Sequence, residues 1–374
     1  MKIVLTGGGT GGHFFPLIAV AEAVNEIIDT ENLADARIYY FANTPFDKKL
    51  LFENDITFVQ IEAGKRPSLN NIKGTILTGI GFMQALLRLV IMYPDVVFSK
   101  GGYVAFPTLL AAKVLGIPVI IHESDSVPGM VSRWSGSFAD TVAVSYKQNV
   151  DYFDSKKVIH TGQPVRADLI SSSQEGAYEF LGLDKNLPVV WFIGGSQGAA
   201  IINDVVDEAL PQLLPKYQVI HQTGEKNFES IKQLTDATLS GNDFRNRYHP
   251  FPFLNILSLK MVARVADVVV TRAGSMLFEI ANWEIPAIIV PITSSSNDHQ
   301  LKNAYSYTRA GAGTTIEENN LSDSQLVFEI NRIYDNPEIK ETMKQKARDF
   351  FVPDAAKKIA REIIRIVLSH EKTD

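Results

Sequence analysis

Two glycine-rich loops carry the residue types that could hold an anion. Gly7-Gly8-Gly9-Thr10-Gly11-Gly12 and Gly194-Gly195-Ser196-Gln197-Gly198 each follow a short apolar run and precede a helix-compatible stretch. Glycine lets the backbone approach a ligand, and a helix N-terminus presents unpaired N–H groups at the positive end of its dipole. Two matched loops, each with a hydroxyl (Thr10, Ser196), point to phosphate-bearing ligands rather than to bare tight turns. His13 follows the first loop directly. A helix N-terminus favours neutral imidazole, the form a general base needs at neutral pH. The competing reading is a histidine that merely caps the turn.

The standard nucleotide motifs fit poorly. Gly7–Gly12 satisfies G-x-G-x-x-G, but the next strand ends Tyr40-Phe41-Ala42-Asn43, with no carboxylate for a dinucleotide ribose. His13-Phe14 stands where a P-loop needs Lys then Ser/Thr. Other polar clusters follow apolar strands, where open α/β sheets bind ligands. They are Ser99-Lys100-Gly101-Gly102-Tyr103, His122-Glu123-Ser124-Asp125 and Thr271-Arg272-Ala273-Gly274-Ser275, the last leading into Met276-Leu277-Phe278-Glu279. Ser124 or Asp125 could equally cap a helix. Glu279 could accept two ribose hydroxyls or be an ordinary helix-surface glutamate. Arg166, after Gly162-Gln163-Pro164-Val165, could fork onto a phosphate or form a surface salt bridge. Asn297-Asp298-His299-Gln300 offers donors and acceptors for sugar hydroxyls. No cluster has metal-ligand spacing. Gly194–Gly198 also matches the Gly-x-Ser-x-Gly elbow of a hydrolase, with His299 or His370 downstream as a possible partner.

The elements that must position these residues alternate strand and helix. Apolar β-branched runs lie at 37–41, 57–61, 95–99, 118–122, 141–144 and 157–160, then at 218–221, 248–251, 267–271, 287–291 and 313–316. With Ile3-Val4-Leu5 and Val189–Ile193 they predict α/β domains with parallel sheets covered on both faces. The two glycine loops open half a chain apart, which predicts two similar domains in tandem. A chain of 374 residues suits two or three domains. The boundary is expected near Gly162-Gln163-Pro164, giving domains 1–163 and 164–353. The final helix, 354–370, repeats Ile359, Ile363 and Val367 on one face.

Composition narrows the function. Hydrophobic residues make up 45% and charged residues 21%, an ordinary globular balance. The net charge of -6 argues against nucleic acid as a partner. The absence of cysteine removes disulfides, thiolate nucleophiles and Cys-ligated metals. The run from Ile76 to Tyr93 is interrupted by Gln84 and Arg88 and falls short of the ~20 apolar residues of a membrane span. It reads as an amphipathic helix. No Asp or Glu occurs between Ala63 and Pro94, while Lys65, Arg66, Lys73 and Arg88 are basic. An apolar face rimmed by basic residues is the pattern of an interfacial helix on an anionic membrane, against the commoner outcome of a face buried in the core.

Taken together, GGGTGGHFFP (7–16), KGGYVAFP (100–107), GIPVIIHES (116–124), GQPVR (162–166), GGSQGA (194–199), ADVVVTRAGS (266–275) and NDHQLKNA (297–304) resemble one family in its own order. It is the bacterial MurG family of UDP-N-acetylglucosamine:lipid-linked muramoyl-pentapeptide N-acetylglucosaminyltransferases. The resemblance covers nearly the whole chain. It implies a GT-B fold, two Rossmann-like domains facing a cleft, with acceptor and membrane functions in the first and UDP-GlcNAc binding in the second. It implies inverting transfer of GlcNAc to the 4-hydroxyl of the muramoyl sugar of lipid I, without a cofactor or active-site metal. It also implies a peripheral place at the cytoplasmic face of the membrane and a possible cell-wall synthesis complex.

Carried over residue by residue, Thr10, Gly11 and Gly12 line the cleft, and His13 is the base. Gly101, Gly102 and Tyr103 form a second acceptor-side loop. Glu123 and Asp125 bind substrate, although the family usually has Asn at Asp125, whose amide contacts the donor sugar. Arg166 and Ser196 meet the nucleotide. The backbone at Leu254 meets uracil. Ser275, Met276, Leu277 and Phe278 lead to Glu279 on the ribose, and Gln300 takes the GlcNAc hydroxyls. Spacing is longer than usual after Phe253 and shorter before Glu279. Other readings are a different GT-B glycolipid glycosyltransferase, a sugar-nucleotide epimerase, or a non-catalytic nucleotide-sugar-binding subunit. The His13 loop speaks against the last, because a pure binder needs no base there.

Overall fold

The structure, a computed structural model, describes residues 1–65, 71–170, 176–195, 198–293 and 298–371. It divides into two compact units, Met1–Ala167 with Val352–Asp374, and Asp168–Phe351. The first crossing therefore falls four residues later than the 163/164 boundary read from the sequence, and Arg166 lies in the first unit.

The first unit holds strands β1 (Lys2–Thr6), β2 (Arg37–Ala42), β3 (Ile56–Gln60), β4 (Val96–Ser99), β5 (Val119–Glu123), β6 (Thr141–Val144) and β7 (Val158–His160). They form a parallel sheet in the order β3-β2-β1-β4-β5-β6-β7. Both faces are covered. Ile3 and Leu5 pack with the helix Gly11–Glu31 and with Ile359, Ile363 and Val367 of the final helix, Ala355–Glu371. Val4 points the other way, into a layer with Ala105 and Leu109 of the helix Gly102–Leu115. This alternation, buried on both sides, is why the strands read as continuous apolar runs.

The second unit holds β8 (Val189–Ile193), β9 (Gln218–Gln222), β10 (Tyr248–Phe251), β11 (Ala266–Thr271), β12 (Ala287–Ile289) and β13 (Gly313–Thr315). Their order is β10-β9-β8-β11-β12-β13, again parallel. The strand order reverses beside β1 in one sheet and beside β8 in the other. The crevice at such a switch point, outside the carboxyl ends of the strands, is where open α/β sheets take ligands. Each glycine loop leaves the strand at that point.

The helix read at Ile76–Tyr93 runs Ile72–Met92, because Asn71 Oδ1 accepts the Gly74 N–H at 3.0 Å and caps it earlier. Its outward apolar residues do not join the core: Ile76 is 57%, Met83 52% and Leu87 60% exposed.

Because Ile363 is fully buried where the final helix meets the helix Gly11–Glu31, Ile363→Ala should lower unfolding free energy by about 2–5 kcal/mol. Urea denaturation checks this. A loss below about 0.5 kcal/mol would show that the last helix adds little to the first unit.

Candidate active site

In the first unit the chain leaves β1 through Gly7, whose carbonyl accepts the buried Tyr40 hydroxyl at 2.7 Å. Thr10 is the extended N-cap residue of the helix Gly11–Glu31, and its carbonyl accepts the His13 and Phe14 N–H groups at 3.2 Å. Phe14 is fully buried and packs edge-on to Tyr40. That anchor leaves the preceding side chain, His13, half-buried in the first helical turn. His13 Nδ1 lies 2.9 Å from Thr10 Oγ1.

The loop after β4 comes alongside. Gly102 has φ +76°, and a Cβ there would stand 3.5 Å from His13 Nε2. Glycine at 102 thus meets a backbone requirement and keeps space open beside that nitrogen. Tyr103 packs against Gly9, and a Cβ on Gly101 would lie 2.9 Å from Ser132 Oγ. The structure therefore brings Thr10, Gly11, Gly12, His13, Gly101, Gly102 and Tyr103 together.

A buried polar cluster lies with these loops. Lys100 is 2% exposed, with Nζ 2.5 Å from His122 Nδ1 and 3.5 Å from Gln163 Oε1. The Gly162 carbonyl can only accept, so His122 Nε2 carries the proton and Nδ1 of the neutral ring accepts from Lys100. Nε2 then donates to the Gly162 carbonyl at 2.9 Å. Ser145 Oγ donates to Gln163 Oε1 at 2.9 Å. Burial lowers Lys100 to about 7 against the opposing pull of Glu123 and Asp125. Burial and the Lys100 charge hold His122 well below its ordinary value. The same two causes, burial first, lower His13 to about 4, with Asp125 opposing. His13 is neutral at pH 7.

The sequence places Glu123 on a substrate. Here it is 5% exposed, and its Oε1 and Oε2 accept the N–H groups of Asp125 and Gly129 at 2.9 and 3.0 Å. It shapes the loop that presents the half-buried Asp125. Burial and the Asp125 charge raise its pKa. Arg166 is 6% exposed, with its guanidinium 4.7 Å from the Phe15 ring centre.

In the second unit the loop after β8 leads to the helix Ala200–Leu213. Ser196 lies outside the described residues. Gly198 has φ +74°, and any Cβ on it would overlap the Thr223 carbonyl oxygen. Asn203 Nδ2 donates to that carbonyl at 3.0 Å. Its Oδ1 accepts from His221 Nε2, so His221 Nδ1 accepts the Tyr248 hydroxyl, both at 3.0 Å. Gln222 links the Gly195 carbonyl to the Leu254 N–H at 3.1 and 3.0 Å. A uracil contact at Leu254 would then fall to its carbonyl.

After β11, the helix Met276–Asn282 leaves Met276 and Glu279 half-exposed beside Ser275, but Leu277 and Phe278 are 0% and 2% exposed. Their side chains belong to the core, so only their backbone could meet a ligand. Gln300 Oε1 accepts the Ile292 N–H at 3.1 Å. Arg272 pairs with Glu318 at 2.7 Å and donates to the Val290 carbonyl at 2.9 Å. Glu318 also holds the Thr293 N–H at 3.0 Å. This pair ties the polar loop after β12 to the loop after β11. The sequence reading assigned no task to Lys100, Gln222 or the Arg272–Glu318 pair.

Residues 3–144 match the glycosyltransferase family 28 N-terminal domain, and residues 189–359 the family 28 C-terminal domain. The chain is 32% identical over 350 residues to UDP-N-acetylglucosamine--N-acetylmuramyl-(pentapeptide) pyrophosphoryl-undecaprenol N-acetylglucosamine transferase 2 of Bacillus thuringiensis subsp. konkukian, covering 92% of this chain and 95% of that one. It is 33% identical over 365 residues to the transferase of the same name from Caldanaerobacter subterraneus subsp. tengcongensis, covering 96% and 98%. Among solved structures it is similar to Acinetobacter baumannii MurG, with TM-score 0.73, 23% identity and coverage of 97% and 99%. It is also similar to a UDP-GlcNAc 2-epimerase from Neisseria meningitidis, with TM-score 0.70, 16% identity and coverage of 98% and 100%. At these identities the structures speak to the fold, the GT-B architecture of two Rossmann-type units.

The Lys100 charge lowers the His13 pKa, so its removal must raise it. In Lys100→Met the His13 imidazole, followed by NMR from pH 3 to 8, should titrate at higher pH than in wild type, where it should titrate near 4. An unchanged or lower midpoint would separate Lys100 from His13.

Proposed function

The chain belongs to glycosyltransferase family 28, and from that membership we propose that it transfers GlcNAc from UDP-GlcNAc to the 4-hydroxyl of the muramoyl sugar of lipid I, giving lipid II and UDP. The observation that carries this reading is the His13 imidazole, held neutral, with glycine-made space beside Nε2. In a single displacement the acceptor oxygen attacks C1 of GlcNAc. Nε2 takes the hydroxyl proton, the bond from C1 to the diphosphate oxygen breaks, and the anomeric centre inverts. For Nε2 to act as base, Nδ1 must keep its proton and donate it to Thr10 Oγ1, which the 2.9 Å contact allows.

The donor side rests on the loop at 194–199, with Ser196 on the diphosphate, Glu279 on the ribose, Gln300 on the GlcNAc hydroxyls and Arg166 toward the nucleotide. The helix Ala200–Leu213 aims its N-terminus at that loop, a favourable setting for phosphate. The curated relatives at 32% and 33% identity are named as transferases, whereas the epimerase likeness stands at 16%. This favours the transferase over the epimerase and over the hydrolase elbow.

The lipid acceptor requires work at a bilayer. The helix Ile72–Met92 is long and apolar enough to cross a membrane, yet its inner side is committed to protein. A Cβ on Gly81 would overlap the Glu62 carbonyl, and Gln84 Oε1 accepts the Glu62 N–H at 2.8 Å. The opposite side exposes Ile72, Ile76, Ile80, Met83, Leu87, Val90 and Ile91, with Lys65, Lys73 and Arg88 also exposed. This supports a peripheral enzyme lying with that face in an anionic membrane surface, on the cytoplasmic side where UDP-GlcNAc is available.

Transfer of labelled GlcNAc to a lipid I analogue tests the activity. His13→Ala should lower kcat by roughly 10²–10⁴-fold while UDP binding persists. Near-full kcat would remove His13 from the mechanism, and transfer to other acceptors in preference would redirect the substrate reading.

Liposome sedimentation tests the surface. Wild type should pellet with phosphatidylglycerol vesicles and release at high salt. The change of Lys65, Arg66, Lys73 and Arg88 to Gln should leave the protein in the supernatant, each charge contributing about 1 kcal/mol. Equal binding by both proteins, or none by either, would end the idea. Arg66 lies outside the described residues.

A further inference from the structure

Gln222 is the last residue of β9, between β8 and β10, where it pairs with Ile193 on one side and Phe251 on the other. Its side chain is 2% exposed. The carboxamide spends both ends on the backbone of the two flanking loops. Nε2 donates to the Gly195 carbonyl at 3.1 Å, and Oε1 accepts the Leu254 N–H at 3.0 Å. One planar group therefore fixes the separation of the glycine loop after β8 and the segment after β10.

A uridine diphosphate makes a special demand on these two places. Its base and its phosphates are joined through one ribose, so a site that holds both must hold them at one spacing. The glycine loop alone can hold a phosphate, and the segment after β10 alone can face a base, whatever the distance between them. Only the linked ligand depends on that distance.

We infer that Gln222 is a positioning residue that couples the phosphate loop to the base-facing segment and thereby preorganises the site for a nucleoside diphosphate. The inference rests on the reading that UDP-GlcNAc is the donor. Holding the two loops in register lowers the ordering cost that a ligand bridging them would otherwise meet. Ligands that touch one loop gain nothing from it. The neighbouring Asn203–His221–Tyr248 chain anchors the Thr223 turn beneath the same loop. Loss of Gln222 should therefore loosen the register of the loops without unmaking either one.

The test compares UDP with its two halves. Gln222→Leu removes both hydrogen bonds at similar volume, and Gln222→Met does so with an unbranched chain should the first variant fail to fold. UDP, uridine and inorganic pyrophosphate are titrated into wild type and variant, and steady-state kinetics are measured alongside. We expect the UDP Kd and the KM for UDP-GlcNAc to rise about tenfold. The kcat and the affinities for uridine and pyrophosphate should stay within about twofold of wild type. UDP affinity within about twofold of wild type in a folded variant overturns the inference. So does an equal weakening of all three ligands, which marks a purely structural role. Failure of wild type itself to bind UDP would instead defeat the donor assignment, so the two failures are distinguishable.

Discussion

In each sheet the connections run to one side up to a single strand and to the other side after it. At β1 and at β8 this reversal leaves a gap at the carboxyl ends of the strands that no crossover helix fills. What was found in either unit hangs from that constraint. His13, Gly102 and Asp125 follow β1, β4 and β5, which are neighbours in the first sheet. Gly195, Leu254 and Glu279 follow β8, β10 and β11 in the second. Residues remote in sequence meet because adjacent parallel strands end at the same level. The glycines are needed because several chains turn in one small space.

The first of these meeting places is electrostatically demanding. A buried ammonium without partners would be costly. Lys100 is offset by the lone pair of His122, the carbonyl of Gln163 and the nearby carboxylates of Glu123 and Asp125. Burial first, and the Lys100 charge second, keep two imidazoles unprotonated. Glu123 takes part in the balance without reaching outward, because its oxygens accept two backbone N–H groups. The neutral state of His13 thus follows from its surroundings as much as from the helix N-terminus, which alone would be a weaker influence.

The strands were legible because a parallel strand buried on both faces must be a short run of Val, Ile, Leu and Phe, and glycine marks where it ends. The loops with His13, Gly102 and Gly198 were legible for a related reason, since few residues tolerate such a backbone. Lys100, Gln222 and the Arg272–Glu318 pair were not. Lys100 stands beside Gly101-Gly102, but its partners are His122 and Gln163, and Gln222 bridges residues 195 and 254. These pairings depend on strand order and register, which one sequence does not display. Leu277 and Phe278 show a different limit of the sequence. The resemblance names them beside the ligand without saying through which atoms, and the helix turns both side chains into the core, which leaves the backbone for any contact.

The helix Ile72–Met92 shows how a sequence pattern can be clear while its orientation stays hidden. A helix apolar around its whole circumference is normally buried. Here the fully buried positions are Gly74, Gly81, Ala85 and Leu89, with Phe82, Leu86 and Met92 packed partly against the core. Glycine at 64 and 81 lets the backbones meet, since a Cβ on Gly64 would overlap the Gly74 carbonyl and one on Gly81 the Glu62 carbonyl. Close approach of this kind needs small residues, and Ile76, Ile80, Met83 and Leu87 are left on the outward side. Burying one such side chain contributes about 1.5–3 kcal/mol, and Ile76, Met83 and Leu87 forgo most of that in the folded chain. They can recover it only against another apolar phase. The anionic membrane surface proposed above would supply that phase.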